Sequence, residues 1–274
     1  MGANILMLVL AFLNNKLIYV YLDQETNGVY FLVIRFAAFA ALLLGDWLRL
    51  SNLNLAGGNR NFNRVLVANT LWYSVFLAGF LFLAFKASYP ALPPTVFGLS
   101  RQYLLLALAA AAVIILKDSL QSIVLANQLL QRYAAAIAIS SILFLGFDFL
   151  FLAVFGFGIY AVIIAWFISI AGAIAWSFFA MASFDGCSLR PSMTIFMKSR
   201  DIGWRAWIAI IGLFLMINIH IYSIEPIIGD PEKALVMVAM FSVCYRIFQL
   251  LQRFGDVSAY LLHSKVVRQE TEES

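Results

Sequence analysis

"YLDQETNGVYFLVIRF", residues 21–36, sets a short polar segment, Asp23 to Asn27, between two oily runs, and seven residues after Gly28 it places a bare arginine, Arg35. The same alternation governs the whole chain of 274 residues, which is 64% hydrophobic and 12% charged, with a mean hydropathy of +0.92. A soluble domain is about 45–50% apolar and about 25% charged. Water would not hold this surface, so the chain reads as an all-α, polytopic transmembrane helical bundle. The apolar runs are far longer than the roughly 10 residues of a barrel strand and show no alternation of faces.

A spanning helix needs about 20 mostly apolar residues. That length selects eight candidate spans: 4–22, 28–48, 65–86, 102–126, 133–154, 157–182, 204–227 and 234–263. Asn14, Asn15 and Lys16 interrupt the first, and the last is long and partly polar. The loops after spans 2, 4, 6 and 8 hold ten cations: Arg49, Arg60, Arg64, Arg132, Arg190, Lys198, Arg200, Arg205, Lys265 and Arg268. The loops after spans 1, 3, 5 and 7 hold three: Lys86, Arg101 and Lys233. Lysine and arginine concentrate on the cytoplasmic side, which predicts both termini inside and Asp23–Asn27 outside. The formal charge of +4 is spread between apolar runs and is no nucleic-acid signal. "MGANILMLVL" lacks a basic n-region and a small-residue cleavage site, so it reads as the start of the first span.

Catalytic and cofactor chemistry leaves no trace. His220 and His263 fall on different spans, and Cys187 and Cys244 form neither a metal pair nor an expected disulfide. "GFGIYA", 156–161, fits a dinucleotide-binding pattern, but it joins two apolar helices rather than a strand and a helix and reads as a tight turn. No cofactor, metal site or enzymatic activity is expected.

Four stretches resemble the polysaccharide-export flippases, the O-antigen and teichuronic-type branch of the superfamily that also holds the MATE exporters. They are "YLDQETNGVYFLVIRF", "LLLGDWLRLSNLNLAGGNRN" (42–61), "VFGFGIYAVIIAWFIS" (154–169) and "MKSRDIGWRAWIAIIGLFLMINIHIYSIEPIIGDPE" (197–232). The chain departs from that pattern at Trp47 after Asp46, where a glycine is usual, and at Asn218–His220, where an aspartate is frequent. An internal repeat supports the resemblance. "GVYFLVIRF", 28–36, is similar to "AMFSVCYRI", 239–247, pairing Gly28 with Ala239 and Arg35 with Arg246, and transporters are commonly built from repeated halves. The resemblance implies a six-helix lobe over 1–182, a cytosolic linker over 183–203 and the first two helices of a second lobe over 204–274, so the chain reads as truncated after the eighth helix. It implies a bacterial plasma-membrane protein that moves undecaprenyl-phosphate-linked oligosaccharide across the bilayer by alternating access, in company with other membrane proteins of polysaccharide assembly. A cation-coupled drug exporter, an inert fragment and a membrane-embedded polysaccharide polymerase stand as alternatives.

Ionisable residues in hydrocarbon cost about 2.5–3.5 kcal/mol, so they mark cavities or partners. Arg35 and Asp148 each lie roughly 10 Å from the outer face at 1.5 Å per residue, and Lys16 lies at a similar level, so depth allows the three to meet. Two readings of Arg35 follow: a structural ion pair with Asp148, and a cation for the phosphate of a lipid-linked substrate. Lys117 and Asp118 read as structural or coupling residues near the inner face. Ser242, Arg246, Gln249, Arg253 and Asp256 recur on one face of span 8 and, with Arg35 and Lys16, are candidates to line a substrate cavity. Spans 7 and 8 are expected to pack less completely than spans 1–6.

Overall fold

The computed structural model describes residues 2–56, 60–96, 98–182, 190–230, 232–242 and 244–245. The chain runs α1 (Gly2–Tyr21), α2 (Gln24–Leu55), α3 (Arg60–Ser88), a two-stranded hairpin of β1 (Thr95–Val96) and β2 (Leu99–Ser100), α4 (Arg101–Ala126), α5 (Leu130–Asp148), a π-helical segment (Phe149–Val154), α6 (Ile159–Ala182) and α7 (Met193–Ile228). Residues 232–242 form a further helical stretch. The fold is an all-α polytopic bundle. Among the described residues, five helices are long and apolar enough to cross a membrane: Gln24–Leu55, Asn63–Ser88, Arg101–Ala126, Leu130–Val154 and Ile159–Met181. A sixth joins them if the two arms of α7, Trp207–Met216 and Ile221–Ile228, bent by 44°, count as one span.

The polar segment before span 2 is helix rather than loop from Gln24 on. Asp23 is the N-cap: its carboxylate accepts from the Thr26 backbone N–H and from the Thr26 hydroxyl, each at 2.8 Å. These bonds satisfy an orphan donor of the first turn and hold the Asp23 carboxyl below its ordinary range. The turn at 156–158 is as expected, with Gly156 and Gly158 at φ of +66° and +61°, a region open to glycine at no steric cost. The loop before α4 is closed by Arg101, which lies 4.8 Å over the Tyr89 ring and donates to the carbonyls of Pro93 and Leu92.

Small residues set the packing at the centre. On α4, Ala107, Ala110, Ala111 and Ala112 are buried, and a Cβ at Gly45 of α2 would lie 2.5 Å from Ile115 of α4. In hydrocarbon, helix association depends on such close approach. α2 lies against both α4 and α7, while α5 lies against α1 and α6.

The segments from Met193 on touch α2 closely at particular points, while much of α7 is exposed and most of span 8 lies outside the described residues. A Cβ at Gly203 of α7 would run into the carbonyl of Trp47, and one at Gly28 of α2 would run into the carbonyl of Leu235. Trp207 donates to the Leu42 carbonyl at 2.8 Å, and Phe214 stacks on Phe39. Ser242, the first residue of the polar stripe, is fully buried; it donates to the Ala239 carbonyl and bonds the Tyr19 hydroxyl of α1 at 2.6 Å. The segment expected as a linker is helical from Met193, and its start is held by the Asn69 amide, which donates to the Ser192 carbonyl at 3.1 Å and accepts from the Ser192 N–H at 2.8 Å. Phe196 then packs edge-on to Trp47 and beside Tyr73.

Candidate functional site

The sequence of α2 puts Arg35 about three turns below its N-terminus, on the face shared with α7 and the helical stretch after it. The side chain is buried, 8% exposed. Its guanidinium sits 4.0 Å from the centre of the Tyr245 ring and 5.0 Å from that of Phe31. Tyr222 of α7 bears on the same charge, and Phe39 stands against Tyr222. Arg35 therefore occupies an aromatic box made by α2, α7 and the stretch containing Tyr245. A desolvated cation over an aromatic face gains about 2 kcal/mol, which offsets much of the cost of holding it there.

The Arg35–Asp148 ion pair is not formed. Asp148 is fully buried, and neither carboxylate oxygen has a hydrogen-bond partner among the described residues. It ends α5 where the helix widens into the π-helical turn, and the side chain that bears on it is Asn14 of α1. The depth argument did not bring Arg35 and Asp148 together, because α2 packs on α4 and α7 while α5 packs on α1 and α6. Lys16 does not join either group. It is exposed, whereas Asn14, two residues away, is buried at 4%. Positions two apart on a helix point to nearly opposite sides, so burying one turns the other outward.

Lys117 and Asp118 pair with one another at 3.0 Å, with side chains 25% and 38% exposed. Beside them on α2, just past the expected end of span 2 at residue 48, Arg49 grips both carboxylate oxygens of Asp46. The signal was present: an aspartate and an arginine at i, i+3 can share one face of a helix. Arg246, Gln249 and Arg253 lie outside the described residues. No group of three or more metal-ligating side chains occurs among the described residues.

This helix order and packing recur in solved structures. One is a MOP superfamily transporter from Pyrococcus furiosus whose description is that reverse polarity of its binding pocket suggests a different function. It is 17% identical, over 90% of this chain and 58% of that one, with a TM-score of 0.60. The fold is that of the MATE and MOP-superfamily transporters. An outward-facing multidrug-resistance MATE transporter matches at 19% identity and a TM-score of 0.59, over 90% of this chain and 59% of its own. A MATE protein in the straight conformation matches at 18% and 0.58, over 91% and 58%. The chain thus spans about three-fifths of the length of these structures. No family model matches the chain, and no curated relative matches it.

Proposed function

We propose that the chain is the first lobe, with the start of the second, of a membrane transporter that moves a lipid-linked oligosaccharide across a bacterial plasma membrane by alternating access. On this reading 1–182 is the first lobe, 204–274 begins the second, and both termini face the cytosol. The observation that carries the reading is the position of Arg35, a buried guanidinium held between α2, α7 and Tyr245; on this reading the last two belong to the second lobe. A guanidinium held by ring faces keeps its planar fork of N–H donors, which matches pairs of phosphate oxygens and stays charged at any working pH. The aromatic box shelters the charge while the site is empty, and the pyrophosphate of a lipid-linked sugar replaces that shelter when the lobes part. Arg246, equivalent by the internal repeat, with Gln249 and Arg253, would supply the facing wall. The test is glycan export in cells carrying the full-length protein: Arg35→Ala abolishes export with expression retained, and Arg35→Lys restores it in part. Normal export by Arg35→Ala overturns the reading.

One observation favours a second reading, a cation-coupled exporter. Asp148 is a fully buried carboxylate without a hydrogen-bond partner at a π-helical turn, and such turns gather at functional sites. Loss of transport in Asp148→Asn, with Arg35→Ala active, would select it.

A further inference from the structure

A cavity of about 380 Å³ lies between α2, α4 and α7, toward the face at which α2 and α4 run out. The volume is within the range of small-ligand pockets, about 300–1,000 Å³. Its lining is graded along the helix axes. Ala38, Leu42, Ile114 and Phe214 line the end nearer the middle of the bundle; Asp46, Arg49 and Asp118 line the end nearer the membrane face. Four further polar side chains, Ser119, Gln121, Ser122 and Tyr133, line that outer end. Ser119 is fully buried and its hydroxyl has no hydrogen-bond partner among the described residues. Gln121 is 7% exposed and also lines the cavity.

A polar group buried without a partner costs about 1–3 kcal/mol, so the Ser119 hydroxyl calls for an occupant that can bond to it. The charges say which kind. Two carboxylates and one guanidinium line the wall, with Lys117 paired to Asp118 from outside. Arg49 is already held by Asp46 and Asp118 by Lys117, so the wall is close to neutral and offers acceptors at the carboxylates and donors at Arg49 with no excess of either charge. A head carrying both charges meets both. Its positive end needs N–H donors, because the wall offers carboxylate and amide acceptors rather than the aromatic cage that suits a quaternary ammonium. The apolar inner end, in turn, accepts hydrocarbon, and the order from polar face to apolar interior matches that of a lipid in its leaflet.

We propose that this cavity binds the phosphoethanolamine head and first chain carbons of a phosphatidylethanolamine from the adjoining leaflet, as a resident ligand rather than as cargo. The ammonium lies between Asp118 and Gln121, the phosphate takes the free N–H groups of Arg49, and the Ser119 hydroxyl donates to the head. The proposal stands apart from the transport reading, since none of these residues is needed to bind pyrophosphate at Arg35.

The test is native mass spectrometry of the full chain in phosphatidylcholine nanodiscs doped with phosphatidylethanolamine or phosphatidylglycerol. One phosphatidylethanolamine per chain should be retained, about tenfold over either other lipid, as one charge-assisted bond provides. Asp118→Asn, which keeps the cavity's shape, should cut that preference about tenfold. Ala38→Phe should abolish retention by filling the apolar end. Thermal unfolding shows which variants are folded; if Ala38→Phe is not, Asp118→Asn decides alone. Equal retention of phosphatidylethanolamine and phosphatidylglycerol, no retention above background, or unchanged retention in Asp118→Asn overturns the proposal. Soluble phosphoethanolamine competing as well as the lipid would assign the site to a free head group and overturn the lipid source.

Discussion

The contact between Arg35 and Tyr245 ties the first half of the chain to the second, and its strength can be worked from its geometry. The guanidinium lies 4.0 Å from the ring centre in a site where Arg35 is 8% exposed. Exposed cation–π pairs contribute about 0.5–1 kcal/mol and desolvated ones about 2 kcal/mol or more. Phe31, at 5.0 Å, supplies a second face that persists when Tyr245 is lost, so the Tyr245 share is expected near 1–2 kcal/mol. The assay is a double-mutant cycle on unfolding in detergent: Arg35→Met, Tyr245→Leu and the pair. The single variants should each destabilise, and their coupling should be about 1–2 kcal/mol. Tyr245→Phe should keep that coupling, because a ring face remains. A coupling below about 0.5 kcal/mol, the usual limit of additivity for independent sites, would show that Arg35 is held by something other than the ring, and the aromatic box would lose its role in the proposed cycle.

Asp148→Asn should leave the unfolding free energy unchanged or raise it by up to about 3 kcal/mol, the insertion cost of a buried carboxylate; a loss above about 1 kcal/mol, measured in the same assay, would mean the carboxylate is satisfied by a partner. Asp23→Ala should cost about 1 kcal/mol by removing the cap of α2. Because the Asp23 carboxyl is held below its ordinary value, chiefly by the Thr26 N–H and then by the Thr26 hydroxyl, its contribution is present above the unfolded value and is lost as pH falls through the lower folded one. Hydrogen-exchange protection of the first turn of α2, taken relative to the intrinsic amide rate at each pH, should therefore fall on acidification in the native protein and be insensitive to pH over that range in Asp23→Asn. Gly203→Val should force α7 off the Trp47 carbonyl and cost about 1–3 kcal/mol as overpacking, read as a lowered unfolding temperature, whereas Gly79→Val, at a site with no atom within 4 Å of an added Cβ, should be nearly silent.

Helical runs were legible in the sequence and azimuth was not. Run length marked the apolar helices Gln24–Leu55 to Ile159–Met181, and the glycines at 156 and 158 marked their turn, because both depend on neighbours along the chain. Whether Arg35 meets Asp148 depends instead on how α2 and α5 are rotated and which helices lie between them. α4, alanine-rich and apolar along most of its length, gave little hint of which side faces α2. The pairing proposed from depth therefore failed, while Asn14, read only as an interruption of span 1, proved to face Asp148. The cavity lined by Asp46 and Arg49 was not legible for a related reason: the two residues fall at the expected polar end of a helix that in fact continues to Leu55.

The clamp on Ser192 has a mechanical consequence for α7. From Ser192 to Met216 the helix spans roughly 36 Å at 1.5 Å per residue, and its lower part is seated by the Asn69 amide, by Phe196 between Trp47 and Tyr73, and by Gly203 on the Trp47 carbonyl. A beam fixed so firmly at its base does not swing from there. Torque applied to its far end is relieved where stiffness is least, at the 44° break between Met216 and Ile221. Only the last two turns, about 12 Å of helix over Ile221–Ile228, are then free to tilt, and they carry Tyr222 toward or away from Arg35 as they do.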